Sequence, residues 1–169
     1  MTEDSSSQDR VVIERSFDAP AALIWQMWTE PRHFAAWYGP NGATIPVANM
    51  DVRIGGTRLV CMEMRTPNGP MQMWFTGEYR EVIVNERLVY TESMADANGQ
   101  VLSPEDAQMP EGHPTTTEIT VELEEFGGRT RMVVTHSGIP ADSPGAAGWN
   151  MALDKLASYL ATSSQNQPI

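Results

Sequence analysis

Few side chains in this sequence have types and spacing suited to chemistry, and His136 and Glu92 are the most informative of them. His136 follows Met132 and Val134 at every second position, so the three share one face of a predicted strand. A histidine on an inner face can orient a ligand or act as a general base. The simpler interpretation is a core residue whose ring nitrogens are satisfied by backbone groups, or a residue at the rim of a pocket.

Glu92 shares a strand face with Tyr90. If that face is concave, Glu92 is a buried carboxylate that needs a cationic partner such as Arg58. If the face is convex, Glu92 is a solvated charge. Alternation along the strand leaves both interpretations open, because Val89 and Thr91 are equally suited to point inward.

No other familiar catalytic motif is present in the sequence. It has no nucleophile elbow, no phosphate loop and no dinucleotide fingerprint. His33, His113 and His136 lack the spacing of metal ligands. The sequence therefore predicts neither a metal site nor a cofactor. Because no nucleophile–base–orienter set is recognisable, we expect the chain not to be an efficient hydrolase or cyclase.

The last helix constrains most strongly where these side chains lie. Over residues 144–162, Trp149, Leu153, Leu156 and Leu160 recur at i, i+4, i+7 and i+11, which places them on one helix face. This face must lie along an apolar surface. The space between helix and surface is then either a filled core or a ligand cavity.

The rest of the chain reads mainly as strands. Two short helices, at 21–28 and from Pro31 onward, follow the first strand, and Asp18 is the predicted N-cap of the first helix. The predicted strands are 11–17, 45–54, 57–65, 71–82, 87–94, 116–125 and 129–137. The lone Gly55-Gly56 pair between two of them predicts a bend or bulge. This order predicts an α+β fold with a meandering antiparallel sheet.

The length of 169 residues predicts a single domain, over residues 10–162. Residues 1–9 are polar and lack the features of a signal peptide, so they predict a disordered tail, and 163–169 predict a second tail. Residues 95–115 form a long polar segment with three prolines. Such a segment is either a lid or a disordered insertion.

Composition excludes several classes of partner. A net charge of −11 argues against nucleic acid, which needs clustered Lys and Arg. No apolar run is long enough to span a membrane. The single cysteine, Cys61, excludes an internal disulfide and predicts a reducing, cytoplasmic location. Eleven methionines favour a pliable pocket.

Four short pieces of the sequence, in order, resemble a known family. They are Phe17-Asp18-Ala19-Pro20 with Thr29-Glu30-Pro31; Trp37-Tyr38-Gly39-Pro40; Asp51-Val52-Arg53-Ile54-Gly55-Gly56; and Gly77-Glu78-Tyr79, Glu86-Arg87-Leu88-Val89 and Gly148-Trp149. Over about residues 10–161 the chain thus resembles the family named for the activator of the ninety-kilodalton heat-shock chaperone's ATPase, a branch of the START-like (SRPBCC) superfamily. The resemblance implies a helix-grip fold, in which a curved antiparallel sheet of six to seven strands wraps the C-terminal helix and encloses a cavity.

A cavity of this kind, combined with strand alternation, predicts the ligand-binding residues. They are Trp37, Val60, Met62, Met73, Phe75, Tyr90, Ile119, Val121, Met132, Val134, His136, Trp149 and Leu153. The resemblance implies a binding module for a small hydrophobic molecule, lipid-like or polyketide-like. One alternative is a cyclase or hydrolase that uses His136 and Glu92 as acid and base. A chaperone cofactor is a further alternative, implied by the family name alone.

Overall fold

The computed structural model describes residues 9–107 and 114–166, with side chains up to Thr162. Within these ranges seven strands and three helices follow one another in the predicted order. They are β1 Arg10–Phe17, α1 Ala21–Thr29, α2 Pro31–Trp37, β2 Thr44–Met50, β3 Thr57–Thr66, β4 Gly69–Ile83, β5 Arg87–Ala95, β6 Thr117–Phe126, β7 Arg129–Ser137 and α3 Pro144–Asn166.

The strands form one curved antiparallel sheet in the order β1-β7-β6-β5-β4-β3-β2. After β1, the helices α1 and α2 carry the chain to the opposite edge, where β2 begins. Sequential antiparallel pairings then lead back across the sheet until β7 pairs with β1. The predicted α+β helix-grip architecture is therefore confirmed.

The apolar stripe of α3 is buried as its spacing predicts. Trp149, Leu153, Leu156 and Leu160 all belong to the main hydrophobic core. The helix runs to Asn166, four residues beyond the predicted end, so part of the predicted C-terminal tail is helical. None of the helices in the described ranges is long and apolar enough to cross a membrane.

The predicted cap of α1 is wrong. The N-cap position is Pro20, and no side chain near it in sequence caps the helix. Instead, the backbone N–H of Ala21 donates to Glu125 Oε1 of β6 at 2.8 Å. A carboxylate at a helix N-terminus accepts a hydrogen bond from an N–H that has no partner within the helix, and its negative charge interacts favourably with the helix dipole. Asp18 is not needed, because a distant strand supplies the acceptor.

Glycines permit two close approaches of the backbone. Gly77 lies where β4 comes very near its neighbour β5, and a Cβ there would sit 1.8 Å from the carbonyl oxygen of Thr91. The Gly55-Gly56 pair forms the turn before β3, with φ of +83° at Gly55. A Cβ on Gly56 would sit 1.9 Å from the oxygen of Asp51. Only glycine fits at these approaches, which confirms the predicted bend.

The predicted lid or insertion is anchored at its start. Ala95 ends β5 and forms an isolated bridge with Val101. Ser103 Oγ then accepts the N–H of Asp106 at 3.1 Å and closes one turn. Residues 108–113 lie outside the described residues, as do 1–8 of the predicted N-terminal tail and 167–169 of the C-terminal one.

Candidate functional site

A cleft lies between the curved sheet and the first turns of α3. It has two adjoining lobes of about 560 Å³ and about 360 Å³. Five residues line both lobes and define what we call the junction: Phe75, Glu92, His136, Pro144 and Gly145. The junction is therefore built from β4, β5, β7 and the N-terminal end of α3.

The larger lobe, called the loop lobe, is walled by the segments before β6 and after β7. Its other lining residues are Met94, Pro114, Thr115, Thr117, Ile139, Pro140, Asp142 and Ser143. Pro114, Thr115, Pro140 and Asp142 are exposed and form its mouth. Ser143 Oγ is buried and has no hydrogen-bond partner among the described residues.

The smaller lobe, called the helix lobe, is almost entirely apolar. Its other lining residues are Tyr38, Gly39, Pro40, Met62, Met73, Gly148, Trp149 and Ala152. Lys155 Nζ donates to the carbonyl oxygen of Pro40 at 3.0 Å, which ties the segment after α2 to α3. Burial lowers the pKa of Lys155 below its usual value.

His136 is held by hydrogen bonds on both ring nitrogens. Trp149 Nε1 donates to His136 Nδ1 at 2.9 Å, and because an indole nitrogen can only donate, Nδ1 must be the acceptor. The neutral ring therefore carries its proton on Nε2, which donates to Thr117 Oγ1 at 2.8 Å. The Thr117 hydroxyl in turn donates a hydrogen bond to the backbone carbonyl oxygen of Glu92 at 3.3 Å. The chain fixes one tautomer and one orientation of the imidazole.

Glu92 points into the cleft, which settles the strand parity that alternation left open. Its Oε2 accepts a hydrogen bond from Tyr38 at 3.1 Å and lies 3.8 Å from Arg58 Nη1. The Tyr38 oxygen also lies 3.3 Å from the Tyr90 hydroxyl. Since the Tyr38 hydroxyl donates its hydrogen bond to Glu92, the Tyr90 hydroxyl must be the donor to Tyr38. Burial raises the pKa of both phenols, so both stay protonated.

Arg58 is the predicted cationic partner of Glu92, and its side chain is only 1% exposed. Its guanidinium carbon lies 4.0 Å from the ring centroid of Tyr90 and 5.4 Å from that of Phe34. Arg58 Nε and Nη1 have no hydrogen-bond partner in the part of the chain that the structure describes. Glu92 and the aromatic faces therefore carry most of the compensation for this buried charge.

The structure brings part of the predicted site together and leaves part of it in solid core. The predicted residues that line the cleft are Met62, Met73, Phe75, Glu92, His136 and Trp149. The predicted residues that lie in packed interior, lining neither lobe, are Trp37, Val60, Tyr90, Ile119, Val121, Met132, Val134 and Leu153. Tyr90 nonetheless supports the site, because it donates to Tyr38 behind Glu92.

Sequence reasoning missed the loop residues of the cleft and the small residues of α3 that line it. Gly145, Gly148 and Ala152 recur at i, i+3 and i+7, on the same helix face as the lobe they line. Small residues on an otherwise apolar helix face are the sequence signal that could have predicted open space between this face and the sheet. The segment 139–143 had no comparable signal, since it belongs to no regular element.

The described residues contain no recognisable set of metal ligands. In the described ranges, no three side chains of His, Cys, Asp or Glu come close enough to hold an ion. The cleft therefore offers an apolar enclosure with one acidic junction, backed by a buried arginine.

A sheet gripping a helix across a ligand-sized cleft defines the class of fold, and the sequence comparison gives the family. The family described as activator of Hsp90 ATPase homolog 1-like protein matches residues 18–161, and the chain belongs to it. A search of curated proteins finds no match.

Solved structures share the fold at low identity. A protein from Chromobacterium violaceum is 23% identical with a TM-score of 0.73, covering 90% of this chain and 96% of that one. A protein from Staphylococcus epidermidis is 23% identical with a TM-score of 0.70, covering 92% and 91%. The AHSA1 protein from Silicibacter pomeroyi is 18% identical with a TM-score of 0.69, covering 91% and 99%.

Proposed function

We propose that this protein binds a small, largely apolar molecule in the cleft between the sheet and α3. The observation that carries the proposal is the lining: the helix lobe is walled by Met62, Met73, Trp149 and Ala152, with polar side chains confined to a few positions. Each lobe falls within the usual volume of small-molecule sites, about 300–1,000 Å³. The methionine thioethers of this wall also adapt to ligands of varied shape.

The hydrogen bonds around His136 favour binding over acid–base catalysis. A general base needs a nitrogen lone pair directed at the substrate. In His136, Nδ1 accepts from Trp149 and Nε2 donates to Thr117, so the ring would have to break a buried bond to take a proton. His136 instead acts as a brace that orients Trp149 and Thr117 along the cleft wall.

The test uses an environment-sensitive apolar dye and a variant that fills the helix lobe. A Cβ at Gly148 would meet no atom within 4 Å, and Gly148 lies on the lobe-facing side of α3. Gly148→Phe should therefore occupy the lobe without a clash at the backbone. We expect dye binding near one-to-one in the wild type and a loss of at least about tenfold in affinity in the variant, from the excluded apolar contact.

Ala147→Phe is the matched control. Ala147 is exposed on the same turn of α3, so this change adds the same side chain outside the cleft. It should leave dye affinity unchanged. Equal affinities in both variants, or no binding by the folded wild type, would contradict the proposal. If the dye binds as expected, native mass spectrometry of protein purified from its own host would identify any co-purifying molecule.

A further inference from the structure

At the junction, the side-chain hydrogen-bond donors are already bonded within the protein, whereas one side-chain acceptor is not bonded to any described residue. Four side-chain donors surround it: Tyr38 O–H, Thr117 O–H, His136 Nε2–H and Trp149 Nε1–H. Each of them is already committed to another atom of the protein. Behind them, Tyr90 is committed to Tyr38. None of these protons is available to a ligand unless an internal hydrogen bond breaks.

Acceptor capacity, by contrast, is left over. The contacts of the Glu92 carboxylate with Tyr38 and Arg58 both go to Oε2. Glu92 Oε1 accepts no hydrogen bond from the described residues, and the Glu92 side chain is 12% exposed while lining both lobes. Because Oε2 is engaged by Tyr38 and Arg58, Oε1 is the oxygen of this cleft-lining carboxylate that is left for a ligand. A carboxylate oxygen is a strong acceptor and cannot donate.

We infer that the molecule bound here has an apolar body and a neutral hydrogen-bond donor, an alcohol or a phenol, that donates to Glu92 Oε1 at the junction. This inference rests on the proposed binding function and adds the chemistry of the polar group. An acceptor-only head such as an ether or ketone finds no uncommitted side-chain donor at the junction. A carboxylate head would face the Glu92 carboxylate, again with no uncommitted side-chain donor at the junction to receive it. The buried hydroxyl of Ser143 lines only the loop lobe.

A neutral donor fits the charge balance better than a cation. Glu92 is already paired with Arg58, which has no other acidic partner among its described contacts. An ammonium group would draw the carboxylate away from a guanidinium that is buried from water. Breaking such a pair leaves an uncompensated buried charge. An alcohol takes the free oxygen and leaves the ion pair intact.

The test is a competition series against the bound dye, using decanol, methyl decyl ether, decanoate and decylamine at concentrations below micelle formation. Hydrogen bonds to charged groups contribute enough for roughly a tenfold or larger preference. We expect decanol to bind at least about tenfold more tightly than the ether or decanoate, although leaving water costs the alcohol more. Decylamine should bind no more tightly than decanol.

The outcomes separate this inference from the proposed function. Equal binding of decanol and ether would overturn the inference and leave an apolar cleft. Tightest binding by decanoate or decylamine would also overturn it. Failure of every competitor and of the dye would remove the binding function itself. These measurements use the wild-type protein, so they do not depend on a variant that folds.

A variant pair localises the effect. Glu92→Gln keeps the shape but removes the charge, so the preference for decanol over the ether should fall by about threefold or more. Glu118→Gln changes an exposed carboxylate of β6 and should leave the preference intact. An unchanged preference in Glu92→Gln would contradict the assignment of Oε1 as the acceptor.

Discussion

The two halves of α3 lie over the same sheet but have different surroundings. Residues 144–152 line the cleft, and their lobe-facing positions include Gly145, Gly148 and Ala152. Residues 153–160 supply Leu153, Leu156 and Leu160 to the packed core. Along one helix, the size of the side chain on one face decides whether the space over the sheet is filled or open.

The sheet shows the same division. The residues that share the buried core with the second half of α3 are apolar and fully enclosed, as Ile119, Val121 and Met132 are. The walls of the cleft include Glu92 and His136, each tied into hydrogen bonds that hold it in place. We therefore expect the packed region, the closed half, to be destabilised most by loss of side-chain volume. The region around the cleft, the open half, should be destabilised most by loss of charge partners.

The largest effect is expected at the ion pair behind the cleft. Glu92→Met would leave the buried Arg58 cation without its carboxylate, and removing one partner of a buried pair costs about 3–5 kcal/mol. Urea unfolding should show this loss in the free energy of unfolding. The double variant Arg58→Met/Glu92→Met should be more stable than Glu92→Met alone. Additive losses would mean that the two charges are not coupled.

The next effect contrasts the two regions directly. Leu153→Ala or Leu156→Ala should lower the free energy of unfolding by about 2–5 kcal/mol, because each side chain is fully buried in packed core. Met73→Ala, at the cleft wall, should cost distinctly less, since Met73 is only partly buried and already borders open space. Equal losses at Leu153 and Met73 would remove the distinction between a closed and an open half.

The fold could be predicted from sequence because its signals are local and periodic. The stripe of α3 and the alternation of the strands specify which face of each element is buried. Alternation does not specify whether a residue on the buried face lies next to the cleft or in the packed core. Leu153 and Val121 therefore satisfy the predicted pattern equally well as cavity lining or as core. What separates them from Met73 is which part of α3 lies opposite, a property of the assembled structure.

Two further features could not be deduced for physical reasons. The parity of β5 was undecidable because both of its faces are buried: Val89 and Thr91 on one side, Tyr90 on the other. The cap of α1 was missed because its acceptor, Glu125, is 104 residues away in sequence from Ala21. In both cases tertiary packing replaces the local signal that the sequence would otherwise carry.

A smaller effect tests the brace on the cleft wall. Trp149→Phe removes the donor to His136 Nδ1 and should cost about 1–3 kcal/mol for the unsatisfied acceptor, plus lost packing. Trp74→Phe is the matched control, because no hydrogen bond of the Trp74 indole is found among the described residues and its side chain is only half-buried. The nitrogen chemical shifts of His136 should report the Nε2–H tautomer in the wild type, and the Nδ1 shift should move in Trp149→Phe, which loses the donor, but not in Trp74→Phe.

The smallest effect concerns the glycines that keep the helix lobe open. Glycine within a helix is less favourable than alanine by about 1 kcal/mol, and Gly148 has no atom within 4 Å of an added Cβ. Gly148→Ala should therefore raise the free energy of unfolding by up to about 1 kcal/mol. At Gly145 the Cβ would sit 2.9 Å from Ile139 Cδ1, so Gly145→Ala should give a smaller gain or a loss. A Gly148→Ala protein that is more stable but binds the dye more weakly would show that Gly148 keeps the cleft open at a cost in helix stability. A destabilised Gly148→Ala protein would instead place that position in packed interior and make the two halves of α3 alike.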